Sequence, residues 1–436
     1  MKFIHTADLH IGQIIYQNYD RSDEHRHFFD QLKGWCEQEQ PDALLVSGDV
    51  FDVQQPSAST RRAYTDCFVE LHNACKTMRI IITAGNHDSP SRLEADRSLW
   101  DLANTTVVGL APTMDLAHAE DGWQEQFIVR LASGYVIAFP HMMGQRREAL
   151  QRVLDYVQAE NGQGLPVVLM AHLAVTGADA TGHNVTLGNL QLCGVDELGA
   201  GYDYLALGHI HKPQTIGHPE DVDLPEVTYP SGVVRYSGSA LHVSCDERYP
   251  HSVSVVRIDG HNGDVTIKQL RIDELRHFYT LPLDGTAFSD EKAALTGIEE
   301  FCKEKGSGYF RVRMDRNAVL SANFNQMVYA LIDPYKEEVR FNPKIEWAGD
   351  EESSTEVIER PVFEVADLQQ MKDPLAFISQ TADQYPDLDM EMVRDAFTEV
   401  MEELNNMDRA ERAKKSRGKN ATEGTIGNED INAELG

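Results

Sequence analysis

Short apolar, β-branched runs recur along the first 240 residues, with helix-spaced stretches between them. Phe3-Ile4-His5, Leu44 to Ser47, Arg79 to Thr83, Val107-Val108, Tyr135 to Phe139, Val167 to Met170 and Tyr204 to Leu207 are brief and almost wholly apolar, so they predict buried strands. Tyr64, Cys67, Phe68, Leu71 and Cys75 instead keep helical spacing. The alternation predicts a layered α/β domain holding one antiparallel hairpin from Gln126 to Phe139. Further strands at Val253 to Val256 and Val265 to Ile267 extend it, so a first domain is expected over 1–275.

The pattern then changes. A strand from Phe278 to Leu283, a helix carrying Leu295, Ile298 and Phe301, and an alternating strand from Tyr309 to Met314 follow one another. A helix with Phe324, Met327, Val328 and Leu331 and a strand from Val339 to Trp347 complete a β-α-β-α-β module expected over 276–348. Residues 349–387 begin acidic and polar and are expected to form a linker region. Met390, Val393, Phe397, Val400 and Leu404 then form one apolar stripe on an acidic helix over 388–408, a face that needs either a partner or its own domain to cover it. The basic and polar residues 409–436 predict a disordered tail.

Composition narrows the class. With 42% hydrophobic and 25% charged residues among 436, the chain has enough apolar material for real cores, which excludes disorder throughout. No run approaches the roughly 20 apolar residues of a membrane span, and Met1 to Asp8 reaches a charged residue too early for a signal segment, so a cytoplasmic protein without a membrane partner is expected. Six cysteines without CxxC pairing argue against a zinc ribbon or a disulfide framework. Seventy acidic against 39 basic side chains leave a formal net charge of −31, which speaks against strong autonomous DNA affinity. A carboxylate site filled with divalent cations reverses its local sign, however, and a partner can supply basic surface.

The candidate chemistry lies directly after the predicted strands. Asp8-Leu9-His10, Gly48-Asp49-Val50-Phe51-Asp52, Gly85-Asn86-His87-Asp88, Ala171-His172 and Gly208-His209-Ile210-His211 each follow one. Loops at the carboxyl ends of strands line the ligand crevice of an α/β sheet, so five clusters converge on one place. Aspartate, asparagine and histidine without thiolate suit manganese, iron or zinc. Their number suffices for two ions about 3.5–4 Å apart, with Asp49 as the candidate bridge. A single histidine after a strand is usually a turn or cap residue, and most of the 17 histidines carry no such claim.

Asp8-x-His10, Gly48-Asp49, Gly85-Asn86-His87-Asp88, His172 and Gly208-His209-x-His211, in this order, resemble the signature of the calcineurin-like metallophosphoesterases. The longer runs His5 to Gly12, Ser47 to Asp52, Ala84 to Ser89, Tyr204 to His211 and Tyr236-Ser237-Gly238-Ser239 are similar to the nuclease subunits of double-strand-break repair complexes. The resemblance implies an α/β metallophosphoesterase sandwich, a small α+β capping domain that touches DNA, and a C-terminal partner-binding helix. It implies two divalent ions, manganese foremost, one held by Asp8, His10, Asp49 and His211 and the other by Asp49, Asn86, His172 and His209. His87 is then the catalytic histidine, with Asp88 orienting its ring. Asp52, which stands where some relatives carry histidine, and Tyr236, Ser237 and Ser239 become candidate substrate contacts.

The implied activity is 3′ to 5′ exonuclease action on double-stranded DNA, and ATP-dependent endonuclease action on hairpins or blocked ends, in DNA repair and recombination. The implied partner is an ABC-type ATPase with a long coiled coil that docks on helix 388–408. The family also pairs as a homodimer within a heterotetramer, which here would use the segments Tyr64 to Cys75 and Arg92 to Leu102. Two other functions compete: a small-molecule phosphodiesterase or phosphatase on the same fold, since metal ligands alone do not choose a substrate, and a non-catalytic adaptor, weakened because no ligand position is missing.

Overall fold

A computed structural model describes residues 1–349 apart from 17–18, 112–119, 143–145, 182–191, 220–223 and 305–306. The expected linker beyond 349, the helix over 388–408 and the tail over 409–436 lie outside the described residues. The first elements are β1 (Lys2–Thr6), β2 (Ile14–Ile15), β3 (Tyr19–Asp20), α1 (Ser22–Glu39), β4 (Ala43–Ser47), α2 (Ala58–Ala74), β5 (Arg79–Thr83), α3 (Pro90–Glu94), α4 (Arg97–Leu102) and β6 (Thr105–Val108). Next come β7 (Ile128–Leu131), β8 (Gly134–Ala138), α5 (Arg146–Glu160), β9 (Val167–His172), β10 (Tyr204–Gly208), β11 (Gln214–Thr215), β12 (Glu226–Tyr229), β13 (Val233–Tyr236), β14 (Ser252–Ile258) and β15 (Val265–Arg271).

Two mixed sheets hold these strands, in the orders β12-β15-β14-β1-β4-β5-β6 and β11-β13-β10-β9-β8-β7. At the centres, β1, β4, β5 and β6 run parallel, as do β13, β10, β9 and β8. Period-2 alternation decides what each face meets. Phe3, Leu45 and Ile81 join Ile137, Leu169 and Leu205 of the second sheet in one core, which also takes Leu150, Val153 and Val157 of α5. Their neighbours Ile4, Leu44, Val46, Ile80 and Ile82 pack instead under α1 and α2, against Phe28, Leu32, Phe68 and Leu71. Strands buried on both faces are therefore nearly continuous apolar runs, the feature that made them visible in the sequence. On α2, Tyr64, Cys67, Phe68 and Leu71 are all core; on α4, Trp100 is buried whereas Leu99 and Leu102 stand 67% and 83% exposed.

A third core belongs to β16 (Phe278–Leu281), α6 (Glu291–Glu304), β17 (Gly308–Met314), α7 (Phe324–Ile332), β18 (Val339–Phe341) and β19 (Glu346–Trp347). β16, β17 and β18 are parallel and joined through α6 and α7. One strand was expected from Val339 to Trp347, but two short ones form, pairing with successive stretches of β17. Four residues of that edge, Asn342 to Ile345, lie opposite only Arg311 and Val312. The ladder is left after the Asn342 N–H, which donates to the Phe310 carbonyl at 2.8 Å, and the next N–H on that side, of Lys344, turns to Asn342 Oδ1 at 3.0 Å.

Charged side chains fasten this module to the first. Arg21 and Glu24, both 2% exposed, form a 2.6 Å ion pair at the start of α1. Glu24 also receives the Tyr309 hydroxyl at 2.5 Å and lies 3.3 Å from both Arg276 and Arg340.

Candidate metal centre

β1, β4 and β5 of one sheet and β9 and β10 of the other finish at one edge of the sandwich, level because Ser47 is in register with Thr83 and Gly208 with His172. The loops that follow hold their candidate ligand residues in unusual backbone conformations. Asp8, His10, Asp49 and His209 have φ of +52°, +46°, +47° and +99°. Such conformations cost side-chain-bearing residues about 1–3 kcal/mol each and persist only where surrounding bonds impose them. Here the Asp8 N–H donates to the Gly48 carbonyl at 3.1 Å and the His10 N–H to the Asp49 carbonyl at 3.0 Å. Two glycines make room. A Cβ on Gly48 would stand 2.2 Å from His172 Nδ1, and one on Gly85 would stand 2.1 Å from Asp49 Oδ1.

The seven side chains expected to ligate metal come together. Donor atoms of Asp8, His10 and His211 lie within 4.8 Å of one another, and so do those of Asp49, His172 and His209. Asn86 Oδ1 sits 2.9 Å from both His172 Nε2 and His209 Nδ1, which brings it into the second group. Asp49 Oδ2 is 3.2 Å from His172 Nε2, while its Oδ1 receives the His87 backbone N–H at 2.8 Å. The residues fit divalent ions on an independent ground. His10 is 3% exposed, yet neither of its ring nitrogens has a hydrogen-bond partner among the described residues, a cost that a cation at Nε2 would reduce. The Ser47 carbonyl orients one ring, accepting from His172 Nδ1 at 2.9 Å, and Asp52 Oδ1 stands 3.2 Å from His10 Nδ1.

Burial and crowded charge set the protonation of the metal-free site. Burial pushes Asp8 up to about 7, with Asp49 adding to the rise and His172 opposing it. Burial alone would lower His172, but the Asp49 carboxylate outweighs it and holds His172 at about 9. His172 in turn holds Asp49 well below the usual carboxylate range against its own burial. His211 is kept well below 6.5, chiefly by burial.

His87 is exposed at the mouth, its ring 5.0 Å from that of His10. Its orientation does not come from Asp88. The Asp88 carboxylate is turned inward and accepts the N–H groups of Val50, Phe51 and Gly85 at 3.1, 2.9 and 2.9 Å, tying two ligand loops together. The group on His87 Nδ1 is the Asp52 carbonyl, at 2.9 Å. The candidate contacts Tyr236, Ser237 and Ser239 also take a different place. All three are fully buried: the Tyr236 hydroxyl donates to the Leu173 carbonyl and accepts from the Val175 N–H, and Ser239 Oγ donates to the Leu241 carbonyl. They support the loops rather than meet a substrate. The Asp52 carboxylate, half-buried, is used on His10.

A family model, calcineurin-like phosphoesterase, matches residues 1–213. The chain is 30% identical over 277 residues to the D subunit of nuclease SbcCD from Escherichia coli, covering 58% of this chain and 65% of that one. It is 29% identical to the protein of the same name in Rhodobacter capsulatus over 72% of this chain and 81% of the relative, and 26% identical to that of Bacillus subtilis over 59% and 66%. The chain thus spans about two thirds of the length of several of these relatives. Two stacked sheets, candidate ligand loops at one edge and the matched family model agree: residues 1–213 match a calcineurin-like phosphoesterase domain, and the chain is similar to the D subunits of nuclease SbcCD.

Proposed function

We propose that the protein is a two-metal DNA nuclease that removes nucleotides 3′ to 5′ from double-stranded ends and, within an SbcCD-type complex, opens hairpins and blocked ends with ATP, in repair and recombination. The observation that carries the reading is the meeting of two ligand triads, Asp8/His10/His211 and Asp49/His172/His209, at one sheet edge. Asp8, His10, Asp49 and His211 would hold one ion and Asp49, Asn86, His172 and His209 the other, with Mn²⁺ the ion we assign. Such a pair supplies Lewis acidity and lowers the pKa of a water into the neutral range. The chain's own part is orientation and proton transfer. Asp49 would belong to both sets, so its loss should disable both. His87, fixed at Nδ1 by the Asp52 carbonyl, keeps Nε2 for the substrate and, when protonated there, donates to the leaving oxygen.

DNA is favoured over a small diester by the nuclease relatives and by the β-α-β-α-β module anchored beside the site through Glu24. The partner proposed is an SbcC-type ATPase whose coiled coil takes the stripe on helix 388–408, in a cytoplasmic heterotetramer paired through the α2 to α4 region, where Leu99 and Leu102 are exposed. Among the described residues no helix is long and apolar enough to cross a membrane. The test compares hydrolysis of end-labelled linear duplex, closed circular duplex and a small phosphodiester by the manganese-loaded chain and by Asp49→Ala. Stepwise 3′-end loss from the linear duplex in the unsubstituted chain alone is expected. Turnover of the small diester with both DNAs intact, even when the ATPase is added, would overturn the DNA reading.

A further inference from the structure

Glu247 has no place in the ligand motifs, yet its carboxylate is bonded directly to a candidate ligand ring. It is 2% exposed, on the loop between β13 and β14, and its Oε1 accepts from His211 Nδ1 at 2.7 Å. Its second oxygen accepts the Val243 N–H at 2.9 Å and lies 3.4 Å from His251 Nε2. His251 is fixed in turn, its Nδ1 donating to the Ser239 carbonyl at 2.9 Å. The carboxylate is thus clamped on both oxygens.

We infer that Glu247 is a positioning residue for the metal centre, holding His211 in the tautomer and direction that presents Nε2 to an ion. The inference rests on the two-ion reading of the site. A carboxylate on Nδ1–H makes the opposite nitrogen a stronger donor and removes the ring's rotational freedom, so the ion beside His211 gains affinity. The Ser47 carbonyl on His172 does the same work elsewhere in the site, at 2.9 Å against 2.7 Å for Glu247 on His211.

The experiment titrates the full chain with Mn²⁺ and follows the electron paramagnetic resonance of bound ion in the unsubstituted protein, Glu247→Gln and Asp203→Asn. Asp203 is equally buried but bonds Val167, Ser231 and Asn262 away from the centre, and so controls for loss of a structural carboxylate. The expected result is two bound ions in the unsubstituted chain and in Asp203→Asn, and one site weakened about 10- to 100-fold in Glu247→Gln, with loss of the spin-coupled signal at two equivalents. Unchanged affinity in Glu247→Gln, or an equal loss in Asp203→Asn, overturns the inference and leaves the two-ion reading standing. An unsubstituted chain that binds no Mn²⁺ overturns both.

Discussion

At the scale of single residues, the centre depends on backbone shape as much as on donor atoms. Gly85 has an ordinary φ, so its requirement is space: any Cβ would collide with Asp49 Oδ1. Gly85→Ala should therefore displace Asp49 and weaken Mn²⁺ binding by at least tenfold while the far-ultraviolet circular dichroism stays native; unchanged calorimetric affinity would count against this. His87 is the opposite case, exposed and outside the two triads assigned to the ions, though it stands within 4.8 Å of donor atoms of His10 and Asp52. His87→Ala should keep both ions and lose about 10²- to 10⁴-fold in turnover, the usual worth of a general acid. Loss of manganese binding in that variant would make His87 a ligand instead. The meeting of the candidate ligands was legible in the sequence because each follows an apolar run and several sit beside a glycine. The groups that orient them were not. Glu247 lies 36 residues from the histidine it holds, one of 70 acidic residues with nothing in its spacing to mark it. The inward turn of Asp88 depends on three backbone N–H groups from two loops, a constellation that exists only after folding.

At the scale of elements, strand positions followed from period and composition, since a doubly buried strand has no polar face to disguise it. What periodicity could not give was how the modules attach. The Arg21–Glu24 pair is buried among Tyr309, Arg276 and Arg340, and one uncompensated charge there is far more costly than at the surface. Glu24→Gln should lower the free energy of unfolding by about 3–5 kcal/mol. Glu70→Gln, which breaks the exposed contact with Arg26, should cost about 1 kcal/mol or less. Urea titrations of the two variants give the comparison, and equal losses would show that the inter-module pair is not desolvated in solution. Asn342 carries a second lesson at this scale: an apparently continuous strand signal from Val339 to Trp347 is divided where the Asn342 side chain takes the Lys344 N–H.

At the scale of the whole molecule, the metal-free site carries its own pH dependence. His172, held at about 9, stabilises the metal-free fold fully below about pH 6.5, and that contribution is lost as pH rises through 9. Asp8, raised to about 7, is a liability that grows between about pH 4 and 7 as the unfolded chain ionises first. Both signs agree, so the metal-free chain weakens as pH rises, while binding, which needs neutral His172 and ionised Asp8, strengthens. Other buried histidines, such as His5 at about 3 and His25 at about 4, destabilise both forms equally on the acid side and cancel in the difference. The gap in Tm between Mn²⁺-loaded and chelator-treated protein should therefore widen from pH 6 to 8.5; a constant gap would refute the assignment. Removing residues 388–436 tests assembly in the same way: hydrolysis of a small phosphodiester should persist while co-purification with the ATPase is lost, and an unchanged pull-down would dismiss the stripe as the docking element. The claim on which all of this stands is that five strand-end loops hold two ions. Anomalous diffraction from crystals of the full chain soaked in Mn²⁺ addresses it most directly. Two peaks about 3.5–4 Å apart, with Asp49 between them, are the predicted result; a single peak, or peaks away from Asp49, would contradict it.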